Sequence, residues 1–318
     1  MPRRSSLARL LRRTLFAQVA IAAAWLAWRW PQAPAQALAG ALLVLASGPI
    51  GLAVEFPLSA WVSRTDAAAP RASVPQLLWA WLLESAHLYR AFSWRQPFRW
   101  RAVPDSLDAG ATRTGVVLVH GFMCNRGFWN QWLNALRGAG RACVAVNLEP
   151  VFASIDDYAP AIEQAVQQVE QATGRPPLLV CHSMGGLAAR AWWRVRRSEA
   201  AALVTIATPH AGTWMGRFSR RTNGRQMRQH SAWLQQLARD EQGDPLPRTT
   251  CWFSNCDNIV FPTGTATLAQ ADNRFVAGQP HVALAFHPEV LNGSLALLEQ
   301  LDAARQGKSL TAIPLENG

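Results

Sequence analysis

Two patterns of hydrophobic positions divide the chain. At the N-terminus, Arg3, Arg4, Arg9, Arg12 and Arg13 precede an uncharged apolar run from Thr14 to Trp28. Arg29 and the loop PQAPAQ separate it from a second uncharged run that reaches Val54, just before Glu55. The second run is long enough for a membrane span. The first is short against the ~20 residues a span needs, although flanking arginines can snorkel and Trp25, Trp28 and Trp30 suit an interface. Residues 1–62 therefore predict a membrane segment, read first as a hairpin of two spans. A signal peptide cut near Ala33-Pro34-Ala35, with Arg12-Arg13 as a weak twin-arginine signal, is a second reading. An apolar helix pair tucked against the protein is a third. In the hairpin, the five leading arginines and Arg64 and Arg71 share one side and Arg29 lies on the other. The positive-inside rule then puts the remainder of the chain in the cytoplasm.

Residues 63–110 read as a linker carrying one helix, Leu77 to Phe92 (LLWAWLLESAHLYRAF). Its tryptophans and arginines fit a membrane interface and a globular core equally well. From Gly115 onward short apolar strands alternate with helices. The strands are Val116–Val119, Cys143–Val146, Leu178–Cys181, Leu203–Ile206, Thr250–Phe253 and Arg274–Val276. Helices are expected through Trp129, Trp132 and Leu136, from Tyr158 to Thr173 with Gly174 as its cap, and from Leu187 to Arg197. Fully apolar strands alternating with helices predict a mostly parallel sheet covered on both faces. Residues 111–305 suit one such domain, with 306–318 as a tail. Within it, residues 212–247 form a long insertion bearing Arg217, Arg220, Arg221, Arg225 and Arg228. It ends in an amphipathic stretch from Ser231 to Ala238, with Trp233, Leu234 and Leu237 on one face. A cap over the active site is the functional reading of this insertion, and a solvated loop with one packed helix the plain one.

Composition changes this picture little. Half the residues are hydrophobic, and the formal net charge is +11. That charge looks like a nucleic-acid signal, yet Lys308 is the only lysine and no basic run alternates with aromatics. The basic residues fit an anionic membrane surface better than nucleic acid. The five cysteines (Cys124, Cys143, Cys181, Cys251, Cys256) form no CxxC pair, so neither zinc nor another cofactor is implied. Their scatter suits buried free thiols in a reducing compartment.

Chemistry concentrates in PPLLVCHSMGGLAAR, 176–190. A buried strand, a tight turn and a helix there carry Ser183 at the apex, and the first amides of the new helix point at whatever the serine attacks. A serine hydroxyl needs a base, and the base needs an orienting group. On an open parallel sheet both should lie on loops beyond the carboxyl ends of strands. Asp257 in SNCDNIVFP and His281 in GQPHVALAFHPEV lie so. Asp244 and Asp272 compete for the acid role and His287 for the base, but Asp272 precedes its strand. His182, His120 and His210 read as packing or structural groups.

From about Gly115 to Leu295 the chain resembles a bacterial lipase or esterase of the α/β-hydrolase family. VLVHGF (117–122), CHSMGG (181–186), ATPHAGT (207–213), and DNIVFP with the later HVALAF carry the resemblance. It implies the α/β-hydrolase fold and the triad order Ser183, Asp257, His281, with an oxyanion hole from the amides of Phe122 and Met184. It also implies a carboxylic, lipid-like ester as substrate, hydrolysed through an acyl-enzyme at the bacterial inner membrane. Export to the periplasm is the alternative location. Acyl transfer by the same triad and a non-catalytic hydrolase-like membrane partner are the alternative functions. One departure stands out: Cys181 occupies the first glycine position of the usual GxSxG elbow.

Overall fold

The computed structural model describes residues 5–108 and 113–310. Arg3, Arg4, the expected domain start at 111 and the tail beyond Leu310 lie outside the described residues. Six strands, β1 (Val116–Val119), β2 (Cys143–Ala145), β3 (Leu178–His182), β4 (Ala202–Ile206), β5 (Thr249–Phe253) and β6 (Asp272–Phe275), form one sheet. Its order is β2-β1-β3-β4-β5-β6 and every described pairing is parallel. The chain steps outward from β1 to β2, then returns to the other side of β1 to lay down β3 and its successors. The strand order thus reverses between β1 and β3, the place where open α/β sheets bind ligands.

Why the inner strands β1 and β3 are apolar follows from their two covered faces, whereas β6 at the edge leaves Asp272 and Asn273 exposed. Val117, Val119, Leu179 and Cys181 point into a core built with α7 (Ala159–Thr173), α8 (Met184–Trp193) and α10 (Ala232–Gly243). The alternate residues Val116, Leu118, Leu178 and Val180 enter a second core with α6 (Asn130–Gly138) and α12 (Pro288–Leu310). Each residue of these two strands therefore leaves water on whichever side it points, and burial of a Val or Leu side chain stabilises by about 1.5–3 kcal/mol. Helix α12 runs past 305, so residues 306–310 extend the last helix rather than start a tail.

At the N-terminus, α1 (Ser6–Arg29) runs alongside α2 (Pro34–Leu45). Trp25 Nε1 donates to the Gln36 carbonyl at 3.3 Å and Gln18 Nε2 to that of Val44 at 2.9 Å, an antiparallel register. Only 6% of α1's most apolar window is buried. The second apolar run is not one continuous helix: it breaks at Ala46 into α2 and α3 (Ser47–Val62), bent by 59°. Pro49 lacks the N–H that would bond back to Leu45 across this break. The freed Leu45 carbonyl accepts from the Tyr89 hydroxyl instead, at 3.0 Å, and Gln18 donates to the neighbouring Val44 carbonyl. By length and apolarity α1 alone, among the described residues, could cross a membrane unaided; α2 with α3 qualifies only as a bent pair.

The expected linker is ordered. Ser73 and Gln76 close a capping box on α4 (Val74–His87), which continues through π-helical turns at Leu88–Arg95 into α5 (Gln96–Phe98). Helix α4 has a buried face and an exposed one. Ala80 and Glu84 are buried against the protein, while Val74, Leu78, Trp79 and Leu82 are exposed. The insertion after β4 contains α9 (Thr222–Gln226) and α10. Leu234 and Leu237 of α10 join the core beside Trp192, and Arg190 and Arg194 of α8 bond Glu241 and Asp240. The apolar face of α10 therefore covers the domain's own core and is not free to meet a bilayer.

Candidate active site

Strand β3 ends at His182, and Ser183 follows with φ +55° and ψ −129°, a conformation that costs a non-glycine residue of order 1–3 kcal/mol. The surroundings hold it there. The Ser183 amide donates to the Ile206 carbonyl at 2.8 Å. Its own carbonyl accepts from the Gly186 amide at 3.0 Å and the Thr208 hydroxyl at 2.9 Å. Among the described residues the Ser183 hydroxyl itself makes no hydrogen bond.

The loop after β1 lies directly against the serine. A methyl group on Gly121 would sit 2.7 Å from Ser183 Cβ, so only glycine permits the approach. His120 fixes the next peptide. Its Nε2 accepts from the Leu148 amide at 3.1 Å, leaving Nδ1 to donate to the Gly121 carbonyl at 2.9 Å. In a trans peptide the Phe122 N–H must then point the opposite way from that carbonyl. Burial lowers the His120 pKa to about 4, keeping the ring neutral for this role. Met184 is the first residue of α8, and its amide belongs to the turn that lacks partners within the helix.

Asp257 and His281 meet, as their places after β5 and β6 predict. His281 Nδ1 lies 3.0 Å from each carboxylate oxygen of Asp257. The Oδ1 atom also accepts from the Ile259 and Val260 amides, both at 2.8 Å, which locks the carboxylate in place. Burial opposes a charge on His281, but the attraction and hydrogen bond of Asp257 outweigh it, and the pKa is raised. His182 links this pair to the elbow: its Nε2 lies 3.0 Å from the His281 carbonyl, and its ring stacks on Phe128. The structure thus brings Asp257 and His281 together, and His182, the residue before Ser183, joins that pair to the elbow; all four are nearly buried.

The rejected competitors lie elsewhere. Asp272 pairs with Arg274 and Asp244 with Arg196, both on the surface. The apolar stretch behind His281 suggests one helix carrying both histidines, but His287 lies outside the helix of His281. The turn α11 (His281–Leu284) ends first, and His287 Nδ1 accepts the Glu289 amide at the start of α12. His210 is structural, its Nε2 3.0 Å from the Thr205 hydroxyl and its carbonyl bonded to Arg190. Three residues that the sequence left unremarked converge on the site: Asn258, Glu84 and Glu55. Asn258 Oδ1 accepts the His281 amide at 3.3 Å, and Asn258 Nδ2 donates to Glu55 at 2.8 Å. Glu84 accepts the next two amides, Val282 and Ala283.

Comparison with known families matches the "Alpha/beta hydrolase family" model over residues 116–305, more than half of the chain. The chain belongs to the α/β-hydrolase family. Among solved structures, the mature lipase BlEst2 of Bacillus licheniformis is similar at TM-score 0.51 and 15% identity, covering 59% of this chain and 92% of that one. A monoacylglycerol lipase of Paleococcus ferrophilus reaches TM-score 0.45 at 16% identity, covering 60% and 96%. The lipase B of Aspergillus fumigatus reaches 0.47 at 16%, covering 56% and 51%. A search of curated proteins finds no match. At such identities the likeness speaks for the fold alone. The α/β-hydrolase elbow usually opens on glycine, and here the tight approach of helix to strand falls later. A methyl group on Gly185 would sit 2.4 Å from the Val119 carbonyl oxygen, whereas Cys181 is simply buried in the core. Burial also raises the Cys181 thiol pKa far above its ordinary value, which leaves it inert.

Proposed function

We propose that this α/β-hydrolase family member is a membrane-anchored serine hydrolase of carboxylic esters. The observation that carries the reading is the grip of both Asp257 oxygens on His281 Nδ1, whose carbonyl meets His182, the residue before the strained Ser183 elbow. The grip fixes the proton on Nδ1 and leaves Nε2 as the base. Ser183 Oγ attacks the acyl carbon as Nε2 takes its proton, and the imidazolium, stabilised by Asp257, returns it to the leaving alkoxide. The Phe122 and Met184 amides hold the oxyanion, a donor of this kind contributing ~3 kcal/mol to barrier lowering. Water then repeats the sequence on the acyl-enzyme and frees the acid.

A lipid-like substrate is supported by an open groove of about 480 Å³ lined by Leu10 of α1 and by Val151, Phe152 and Ala153. Phe152 packs on Phe122 at 5.8 Å, so the groove begins beside the proposed oxyanion loop. Anchoring is supported by the exposed Phe16, Val19, Ile21 and Trp28 of α1. Retention of α1, rather than its removal as a leader, is supported by its start: the Ser6 amide donates to Glu149 at 2.9 Å, and Leu7 and Ala8 are buried. A fluorophosphonate probe tests the chemistry. It should label the full-length protein and not Ser183→Ala; a folded wild type that stays unlabelled sinks the enzyme reading, and labelling that survives the substitution sinks the choice of nucleophile.

A further inference from the structure

We propose that Glu84, seconded by Glu55, is a positioning residue for His281, so that the helices bearing the exposed apolar face also hold the catalytic imidazole. The proposal rests on the triad reading above. The imidazole rides on α11, a helix of only four residues preceded by Pro280, which offers no side-chain cap. Its first amides need acceptors, and they find them 198 and 199 positions earlier in the chain. Val282 N donates to Glu84 Oε1 at 2.9 Å and to Oε2 at 3.2 Å, and Ala283 N donates to Oε2 at 3.3 Å. A carboxylate there caps the turn and sets the rotation of the helix that aims His281.

The remaining main-chain groups of His281 are held as well. Its amide donates to Asn258, which is itself held by Glu55 of α3, and its carbonyl faces His182 Nε2. Asn258 adjoins Asp257, so Glu55 braces the acid loop and the histidine together. Asp66, just past α3, adds a third tie to the same loop by accepting the Gly264 amide at 2.6 Å.

Glu84 is an expensive way to fill its place. It occupies the buried stripe of α4 with Ala80, where an apolar side chain would pack without loss of solvation. Among the described residues it has no ion-pair partner. The groups facing it are the two α11 amides, His281, Asp257 of the acid loop and, through Asn258, Glu55 of α3. Burial raises its pKa to about 7, against the hydrogen bonds and the charge of His281. In return its negative charge, with that of Glu55, helps raise the pKa of His281. A group that only filled space would need neither the charge nor the two-oxygen grip.

The test uses full-length protein in detergent micelles, hydrolysing p-nitrophenyl butyrate across a pH series. Glu84→Ala should lower kcat at least tenfold with KM within twofold. Glu84→Gln, which keeps an acceptor, should recover part of that loss but move the acid limb of kcat/KM to lower pH, because the charge that raised the His281 pKa is gone. Glu55→Gln should move the same limb in the same direction by less. Tryptophan-fluorescence melts report whether each variant is folded. Folded Glu84→Ala and Glu84→Gln proteins with wild-type kcat and an unmoved acid limb would overturn the proposal. Should Glu84→Ala not fold, the Glu84→Gln limb decides by itself: displaced supports, unmoved overturns. Active wild type with indifferent variants sinks this inference alone, whereas wild type that neither hydrolyses nor takes the fluorophosphonate sinks the triad and this inference together.

Discussion

His281 is fixed by more partners than the triad logic requires. Asp257 takes its ring, Asn258 its amide, His182 its carbonyl and Glu84 the two amides that follow. The ring can act as a base only when neutral, and its pKa is raised. Activity should therefore climb with pH through a value above the ordinary 6.5 of histidine. Removing the Asp257 charge removes the attraction that raises it. In Asp257→Asn the acid limb of kcat/KM should accordingly move to lower pH while kcat falls by roughly 10³–10⁴-fold. Rate profiles of the two proteins between pH 5 and 9 check both effects, and a limb that moves upward would refute the assigned partner. Ser183, Asp257 and His281 were each legible in the sequence because each ends a strand-to-loop step. Glu84 was not, although its signal was present: a lone carboxylate on the inward stripe of LLWAWLLESAHLYRAF, four residues after Ala80. Nothing local says what such a carboxylate touches, since its partners lie almost 200 residues away.

Among the elements, β3 and α8 were readable as strand, elbow and helix, and the interest lies in where they touch. The usual elbow glycine suggests crowding at Cys181, yet the structure puts it at Gly185, whose α-carbon faces the Val119 and His120 carbonyl oxygens of the oxyanion strand. Cys181→Ala should thus cost about 1 kcal/mol of stability and leave kcat within about threefold. Gly185→Ala must push α8 off β1, costing about 1–3 kcal/mol and at least tenfold in kcat, because Met184 and Phe122 are displaced together. Urea unfolding and p-nitrophenyl ester rates on both variants separate the two positions; equal damage from Cys181→Ala would restore the usual reading of the elbow. The second apolar run shows the opposite limit of sequence reading. Its composition is that of a span, but at the break the Val44 and Leu45 carbonyls are met by Gln18 and Tyr89, which lie far away in the chain. Composition measures affinity for lipid and does not register such distant donors.

At the scale of the whole molecule, α1 begins against the hydrolase domain at Glu149 and extends about 36 Å at 1.5 Å per residue. Arg29 lies at its far end, where α2 turns back. With Arg64 and Arg71 returning to the domain side, a reporter fused after Arg71 should read cytoplasmic; a periplasmic signal would refute this orientation. The sequence by itself determined the hydrolase domain, its parallel sheet and the strand-turn-helix that carries Ser183, and it pointed to Asp257 and His281, because those follow from local periodicity and from loops that end strands. It also marked the N-terminal residues as apolar. Only the tertiary structure decided that these residues are not a separable anchor. Glu55, Asp66 and Glu84 reach from the N-terminal helices into the acid loop and the His281 turn. Such ties join residues far apart in the chain, where no periodicity can register them, and they form only once the sheet has brought β5, β6 and α4 side by side.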